Sequence, residues 1–312
     1  MKNNLSDDSL QLSQQQTSGY EKIYQCFAVF FDDTSVAEGS LYIEKVLTYF
    51  SKKIQQQPNI VPIYTVEGGG MIGTDPNSLL ILQQFHIRIF GFAWNGRNSL
   101  ATGAYTNNTK GLSPLGLEYL EQLNQLHILP DVSHLSEQGF YDIVENTEQP
   151  VVATHSNARA VCEDLRNLTD DQIRCIIQKK GLIGLNLHAP FLNKETATMT
   201  DIVRHADHIL QLGGEDILCA AGAVRLHLDG DTEPLSRLFE RFRRRGGLFR
   251  FGQGQAAEEG RLRGGIGACR SHGAQEKNAR SKGRIPCIPQ HGCSPVWRVY
   301  RECEDLSIRD VR

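Results

Sequence analysis

Three residues of the kinds that bind zinc stand at the ends of three apolar runs. Glu67 closes NIVPIYTVE, His134 closes HILPDVSH and His155 closes VVATH. One carboxylate and two imidazoles suit a catalytic zinc, which takes three protein ligands and keeps a fourth position open. A metal so held supplies a water nucleophile near neutral pH. Asp131 and Ser133, just before His134, are of the type that orients an imidazole through its other nitrogen. A histidine at a strand end is also an ordinary hydrogen-bonded residue, so the metal reading depends on whether the three strand ends meet. Arg166, in DLRNLTDD, has two readings: a solvated or helix-capping arginine, or a bidentate clamp on a substrate carboxylate. His188, His205 and His208 are not read as ligands, and the last two fall on a helix.

The elements that must bring these residues together alternate along the chain. Apolar runs at 26–31, 59–69, 87–94, 127–134, 151–156, 181–187 and 216–222 read as strands. Between them, 36–57, 75–85, 113–126, 136–145, 169–180 and 196–214 read as helices. Ser113 followed by Pro114 is a helix start, and Thr169 with Gln172 forms a capping box. Leu117, Leu120 and Leu123 are expected on the inner face of their helix. Seven strands alternating with helices imply an α/β protein with parallel pairing. An open doubly wound sheet is the rival, but no GxGxxG follows the first strand. In a (β/α)8 TIM-type barrel the carboxyl ends of the strands converge on one mouth, where active sites lie. Glu67, Trp94, Asn95, Asp131, His134, His155 and Asn186 all fall at such ends.

Composition narrows the class. Of the 312 residues, 40% are hydrophobic and 22% charged, as in soluble globular chains. No apolar run is long enough to span a membrane, and the polar N-terminus has no signal-peptide core, so a cytoplasmic protein is expected. The eight cysteines form no CxxC pair, and Cys26, Cys162, Cys175 and Cys219 read as reduced core residues. Charge divides unevenly: residues 1–218 hold 15 basic and 25 acidic residues, and 219–312 hold 18 and 11.

At these motifs the chain resembles the membrane (renal-type) dipeptidases, peptidase family M19, and among them the bacterial-type members. QCFAVFFDD, YTVEGG, FAWNGRN, VVATHSNARAVCEDLRNLTDDQI and GLIGLNLHAPFL carry the likeness, and the stretch from Lys110 to Gln172 is its most specific part. The resemblance implies a (β/α)8 barrel with two zinc ions, hydrolysing dipeptides, often with a D-residue on the C-terminal side. It implies that Glu67 bridges both metals, that His134 and His155 bind the second, and that Arg166 holds the substrate carboxylate. Trp94 and Asn95 would contact substrate. Homodimers are common in the family.

Two departures set further expectations. The family's first strand ends in His-x-Asp, the ligands of the first zinc, and here no histidine precedes His86. The family's next strand ends in a GSDFDG-like motif, where this chain reads AAGAVRLHLDGD, with Asp229 and Asp231 out of register. The expectation is therefore an incomplete barrel domain over 1–222, open at both ends, with one zinc or none. Residues 223–312 form an Arg/Gly-rich segment of doubtful fold, read as a shifted coding frame. Three functions follow: a zinc dipeptidase of impaired activity, an inactive dipeptide-binding pseudoenzyme, and, least favoured, nucleic-acid or zinc binding by the basic tail, whose last four cysteines lack finger spacing.

Overall fold

The computed structural model describes residues 23–30, 39–55, 60–72, 75, 78–106, 110–221 and 250–252. The expectations for Asp229, Asp231, the N-terminus and the remainder of the Arg/Gly-rich segment lie outside the described residues. Seven strands follow one another round a curled parallel sheet: β1 (Ile23–Phe30), β2 (Ile60–Glu67), β3 (Ile87–Gly91), β4 (Leu129–Asp131), β5 (Val152–Ala153), β6 (Leu182–Leu185) and β7 (Leu218–Ala221). Helices α1 (Gly39–Ile54), α2 (Ser78–Gln84), α3 (Pro114–Gln125), α4 (Glu137–Glu145), α5 (Asp170–Gln178), a short α6 (Ala189–Leu192) and α7 (Met199–Gln211) lie between them.

The barrel expected from the alternation is the fold that forms, but its expected open edges are not. A three-residue strand, β8 (Arg250–Gly252), pairs in parallel with both β7 and β1 and closes the ring. Parallel pairing needs only backbone donors and acceptors, so a short piece of the Arg/Gly-rich segment can satisfy both edges. Left open, those edges would present unpaired N–H and C=O groups to other chains.

Two apolar layers hold the barrel. Inside the ring, Cys26, Ile89, Leu129, Val152, Leu182 and Cys219 form one buried cluster, contributed by six different strands. Such an interior is a packed plug, not a pore. Outside the ring a larger cluster joins the helices to the sheet, through residues such as Ile43, Leu47, Phe90, Leu120, Leu123, Phe140, Ile173 and Ile209. Leu117 does not belong to it: it is exposed on α3, and Tyr119 is buried in its place. The helix turns its 116–119–120–123 stripe to the sheet, because Gly116 must lie flat against the Leu100 backbone, where an added Cβ would stand 2.1 Å from the Leu100 carbonyl oxygen.

Both predicted helix starts form. The Ser113 hydroxyl accepts the Gly116 N–H at 3.0 Å, and Thr169 and Gln172 make the reciprocal capping box of α5. Each cap stabilises its helix by about 1 kcal/mol. The α5 cap fixes the helix that follows Arg166. Among the described residues no helix is long and apolar enough to cross a membrane.

Candidate metal centre

Each of the three candidate ligands is delivered by the end of a strand. Glu67 is the last residue of β2, His134 follows β4, and His155 follows β5. What comes after Glu67 leaves no room for side chains: Gly68 has φ +86°, and a Cβ on Gly69 would meet the Phe90 ring at 2.3 Å. The VEGG sequence is therefore the condition for Glu67 to stand where it does. His134 itself sits at φ +70°, a left-handed conformation that costs a non-glycine residue about 1 kcal/mol or more. The turn is held because the His134 carbonyl accepts the Ala104 N–H at 2.7 Å.

The three strand ends meet. His134 Nε2 lies 3.0 Å from Glu67 Oε1, His155 Nε2 lies 3.5 Å from the same oxygen, and the two Nε2 atoms are 2.7 Å apart. This is the one group of metal-ligand type found among the described residues. All three side chains are largely buried.

The outer partners decide which ring nitrogens carry protons. Thr154 Oγ1 donates its single proton to Asp131 Oδ2, a carboxylate that can only accept. The Thr154 oxygen therefore accepts at 2.8 Å from His155 Nδ1–H. On the other side, His134 Nδ1–H donates to Asn95 Oδ1 at 3.0 Å. Both imidazoles thus carry their proton on Nδ1 and turn an Nε2 lone pair inward. In that tautomer two lone pairs and a carboxylate oxygen face one another, an arrangement that suits a cation. Three atoms spaced in this way suit ligands about 2.0–2.2 Å from one zinc ion.

The surroundings of His134 favour its neutral ring. Burial, then the Arg166 charge, hold His134 well below the usual histidine range, so it is neutral at pH 7.

Arg166 is not the solvated arginine of one reading: it is 3% exposed. Its Nη2 donates to the His155 carbonyl at 3.4 Å, and its Nε–H has no partner. The guanidinium lies over the Phe191 ring, 5.7 Å from the centroid. Burial lowers its pKa to about 10, against the pull of Glu67 and Asp131, so it stays charged at neutral pH. A buried cation with an unused donor beside a metal-type cluster suits an anionic ligand group.

The other candidates divide. Trp94 stands over the site, its ring 6.2 Å from that of His134 and edge-on to Phe30. Asn95 orients His134, a role its position in FAWNGRN does not announce. Asp131 does stand behind a candidate ligand, through Thr154, and Ser133 Oγ accepts the His155 N–H at 3.2 Å. Asn186 donates to the His155 carbonyl at 3.2 Å. The remaining histidines stay outside the group. His188 stands at the N-cap position of α6, and its ring packs on Phe191. His205 is fully buried between the Ala158 N–H and the Leu192 carbonyl, and His208 pairs with Asp170. Sequence reasoning missed Thr154, Tyr105 and Asp164; Thr154, directly before His155, and Asp164, two residues before Arg166, had a positional signal.

Asp164 carries a pH prediction. Burial raises its pKa, but the Lys194 ammonium, the Arg166 N–H and the Tyr105 hydroxyl more than offset this and leave the carboxyl below its usual range. A carboxyl whose folded pKa is depressed adds stability above its unfolded value, near 3.9, and loses it as pH falls through the folded value. The stability advantage of wild type over Asp164→Asn, read from urea midpoints, is therefore expected to be full at pH 6 and to shrink below about pH 4. An advantage that is constant over that range would show that the Asp164 charge contributes nothing.

Comparison with known proteins places this geometry among relatives. The family model described as membrane dipeptidase (peptidase family M19) matches residues 47–245. An uncharacterized protein in the pqqA 5′ region of Klebsiella pneumoniae is 33% identical over 180 residues, covering 54% of this chain and 65% of its own. One in the PQQ-III 3′ region of Acinetobacter calcoaceticus is 30% identical over 156 residues, 46% of this chain and 50% of its own. The chain thus spans less than two thirds of either relative. A metallopeptidase from Rhodobacter sphaeroides, crystallised with a phosphinate mimic of the dipeptide L-Ala-D-Ala, superposes with a TM-score of 0.61 at 23% identity, over 75% of this chain and 83% of that one. An amidohydrolase from Pseudomonas aeruginosa gives a TM-score of 0.54 at 18% identity, over 68% and 77%. At these identities the structural likeness speaks for the barrel fold alone.

Proposed function

Because this chain belongs to the membrane dipeptidase family, peptidase family M19, we propose that it is a zinc-dependent dipeptidase whose centre is built on Glu67, His134 and His155. The observation that carries the reading is the convergence of two Nδ1-protonated imidazoles and one ionised carboxylate on a common point. Zinc bound there would polarise a peptide carbonyl and activate water for its hydrolysis.

The chain's own residues supply the rest. Asn95 and the Asp131–Thr154 pair hold the two imidazoles in the tautomer a metal requires. Arg166 offers its free Nε–H to the terminal carboxylate of a dipeptide, which fixes the scissile bond relative to the centre. The packed interior below the site and the Trp94 ring above it limit the water that reaches the cluster.

A pocket that binds dipeptides without cleaving them is the second reading. It is favoured by the finding that the described residues offer ligands for a single metal, where the family resemblance implies two. The test is hydrolysis of L-Ala-D-Ala by the full chain, stripped with a chelator and then reloaded with zinc. Turnover that vanishes on stripping and returns on loading is the expected result. Retained binding of a phosphinate dipeptide mimic without turnover would establish the second reading.

A further inference from the structure

Arg166 keeps an unpartnered Nε–H although a carboxylate stands two residues away. That carboxylate, Asp164, is fully engaged elsewhere. Its Oδ1 accepts the Arg166 backbone N–H at 2.8 Å and the Tyr105 hydroxyl at 2.8 Å. Its Oδ2 accepts from Lys194 Nζ at 2.5 Å. Three separate segments meet on this one side chain: the loop after β3, the loop after β5, and the chain after α6. The same loop is tightened from within by Arg159, whose Nε donates to the carbonyls of Asp164 and Asn167.

We propose that Asp164, clasped by Tyr105 and Lys194, is a positioning residue for substrate: it fixes the backbone of Arg166 while its own oxygens are occupied, so that the guanidinium is kept for the free carboxylate of a dipeptide. The inference rests on the dipeptidase reading and deepens it. Its physical basis is competition for the strongest donor nearby. A carboxylate beside a buried guanidinium gains most from a bidentate pair with it. Such a pair would fill the anion site with the protein's own Asp164. Lys194 on one oxygen, and two donors on the other, hold the carboxylate in its present place. Asp164 is nearly buried, whereas Lys194 and Tyr105 reach the surface. The clasp can therefore be cut at its exposed ends without opening the core.

The experiment uses the zinc-loaded full chain with L-Ala-D-Ala and its C-terminal amide as probes. Asp164→Ala is expected to raise KM for the free dipeptide by about tenfold or more while kcat stays within about threefold, with zinc content unchanged. The preference for the free acid over the amide should shrink with it. Asp164→Asn, which keeps an acceptor for the Arg166 N–H, is expected to recover most of the loss. Lys194→Ala should raise KM by about threefold, and Lys194→Arg should restore it, in line with the small worth of an exposed ion pair. A second readout does not depend on turnover: hydrogen exchange at the Arg166 backbone amide should quicken by about tenfold or more in Asp164→Ala. The proposal is overturned if KM in Asp164→Ala stays within about twofold of wild type, or if kcat, KM and zinc content all fall away together as for a merely structural residue. If wild type cleaves no dipeptide, the dipeptidase reading fails, and unchanged Arg166 amide exchange in Asp164→Ala then refutes the clasp independently.

Discussion

Replacing His155 with alanine is expected to abolish stoichiometric zinc binding and, with it, dipeptide hydrolysis. The centre has three candidate ligands among the described residues, and His155 Nε2 is one of three atoms that converge on the common point. Removing it leaves His134 and Glu67, two ligand-type residues where a catalytic zinc takes three. A milder change separates ligation from bulk. Thr154→Val keeps the shape of the side chain but removes the hydroxyl that accepts from His155 Nδ1–H. It also leaves Asp131 without one of its donors. Outer partners of this kind are worth roughly 10–100-fold in metal affinity. The expected order is therefore wild type, then Thr154→Val weaker by about 10–100-fold, then His155→Ala weaker still. Competition with a chromogenic zinc chelator measures all three. Equal affinity across the series would mean that the metal, if one binds, binds elsewhere.

Replacing Arg166 with methionine is expected to lower kcat/KM for a free dipeptide by about 100–1,000-fold, since charge-assisted hydrogen bonds to a carboxylate contribute about 1.5–3 kcal/mol each. The loss should be far smaller for the dipeptide amide, which has no terminal carboxylate to hold. Stability should move the other way. Arg166 is a buried cation whose Nε–H goes unpaired in the free protein. An apolar side chain of similar length against Phe191 removes that desolvation cost, so the exchange is expected to leave stability unchanged or raise it. Loss of activity with unchanged or raised unfolding temperature is the signature of a residue kept for binding. Loss of activity with a collapsed unfolding temperature would mark Arg166 as a structural residue.

The parts of this protein that were legible in the sequence are those whose cause is local. Seven strands and six helices follow from apolar periodicity. The starts of α3 and α5 follow from Ser113 and Thr169, whose side chains act within three residues of themselves. Glu67, His134 and His155 stood out because metal-ligand types at strand ends are chemically specific, and the barrel then brings those ends together. What escaped depends on contacts between segments far apart in sequence. β8 has three residues and pairs through its backbone, so no side-chain pattern announces it. Leu117 fits helical spacing as well as Tyr119 does, and only the close approach of Gly116 to Leu100 decides which one turns inward. Asn95 acts 39 residues from His134, and Asp164 meets Tyr105 across 59. Neither partnership leaves a trace at short range.

Glu67, His134 and His155 are proposed to hold a zinc ion together. The most direct measurement is an anomalous-difference map at the zinc absorption edge from crystals of the zinc-loaded protein. A peak bonded to Glu67 Oε1 and to both Nε2 atoms, at about 2.0–2.2 Å from each, is the predicted result. A map without a peak there, with the two imidazoles still in contact and a proton between them, would contradict it.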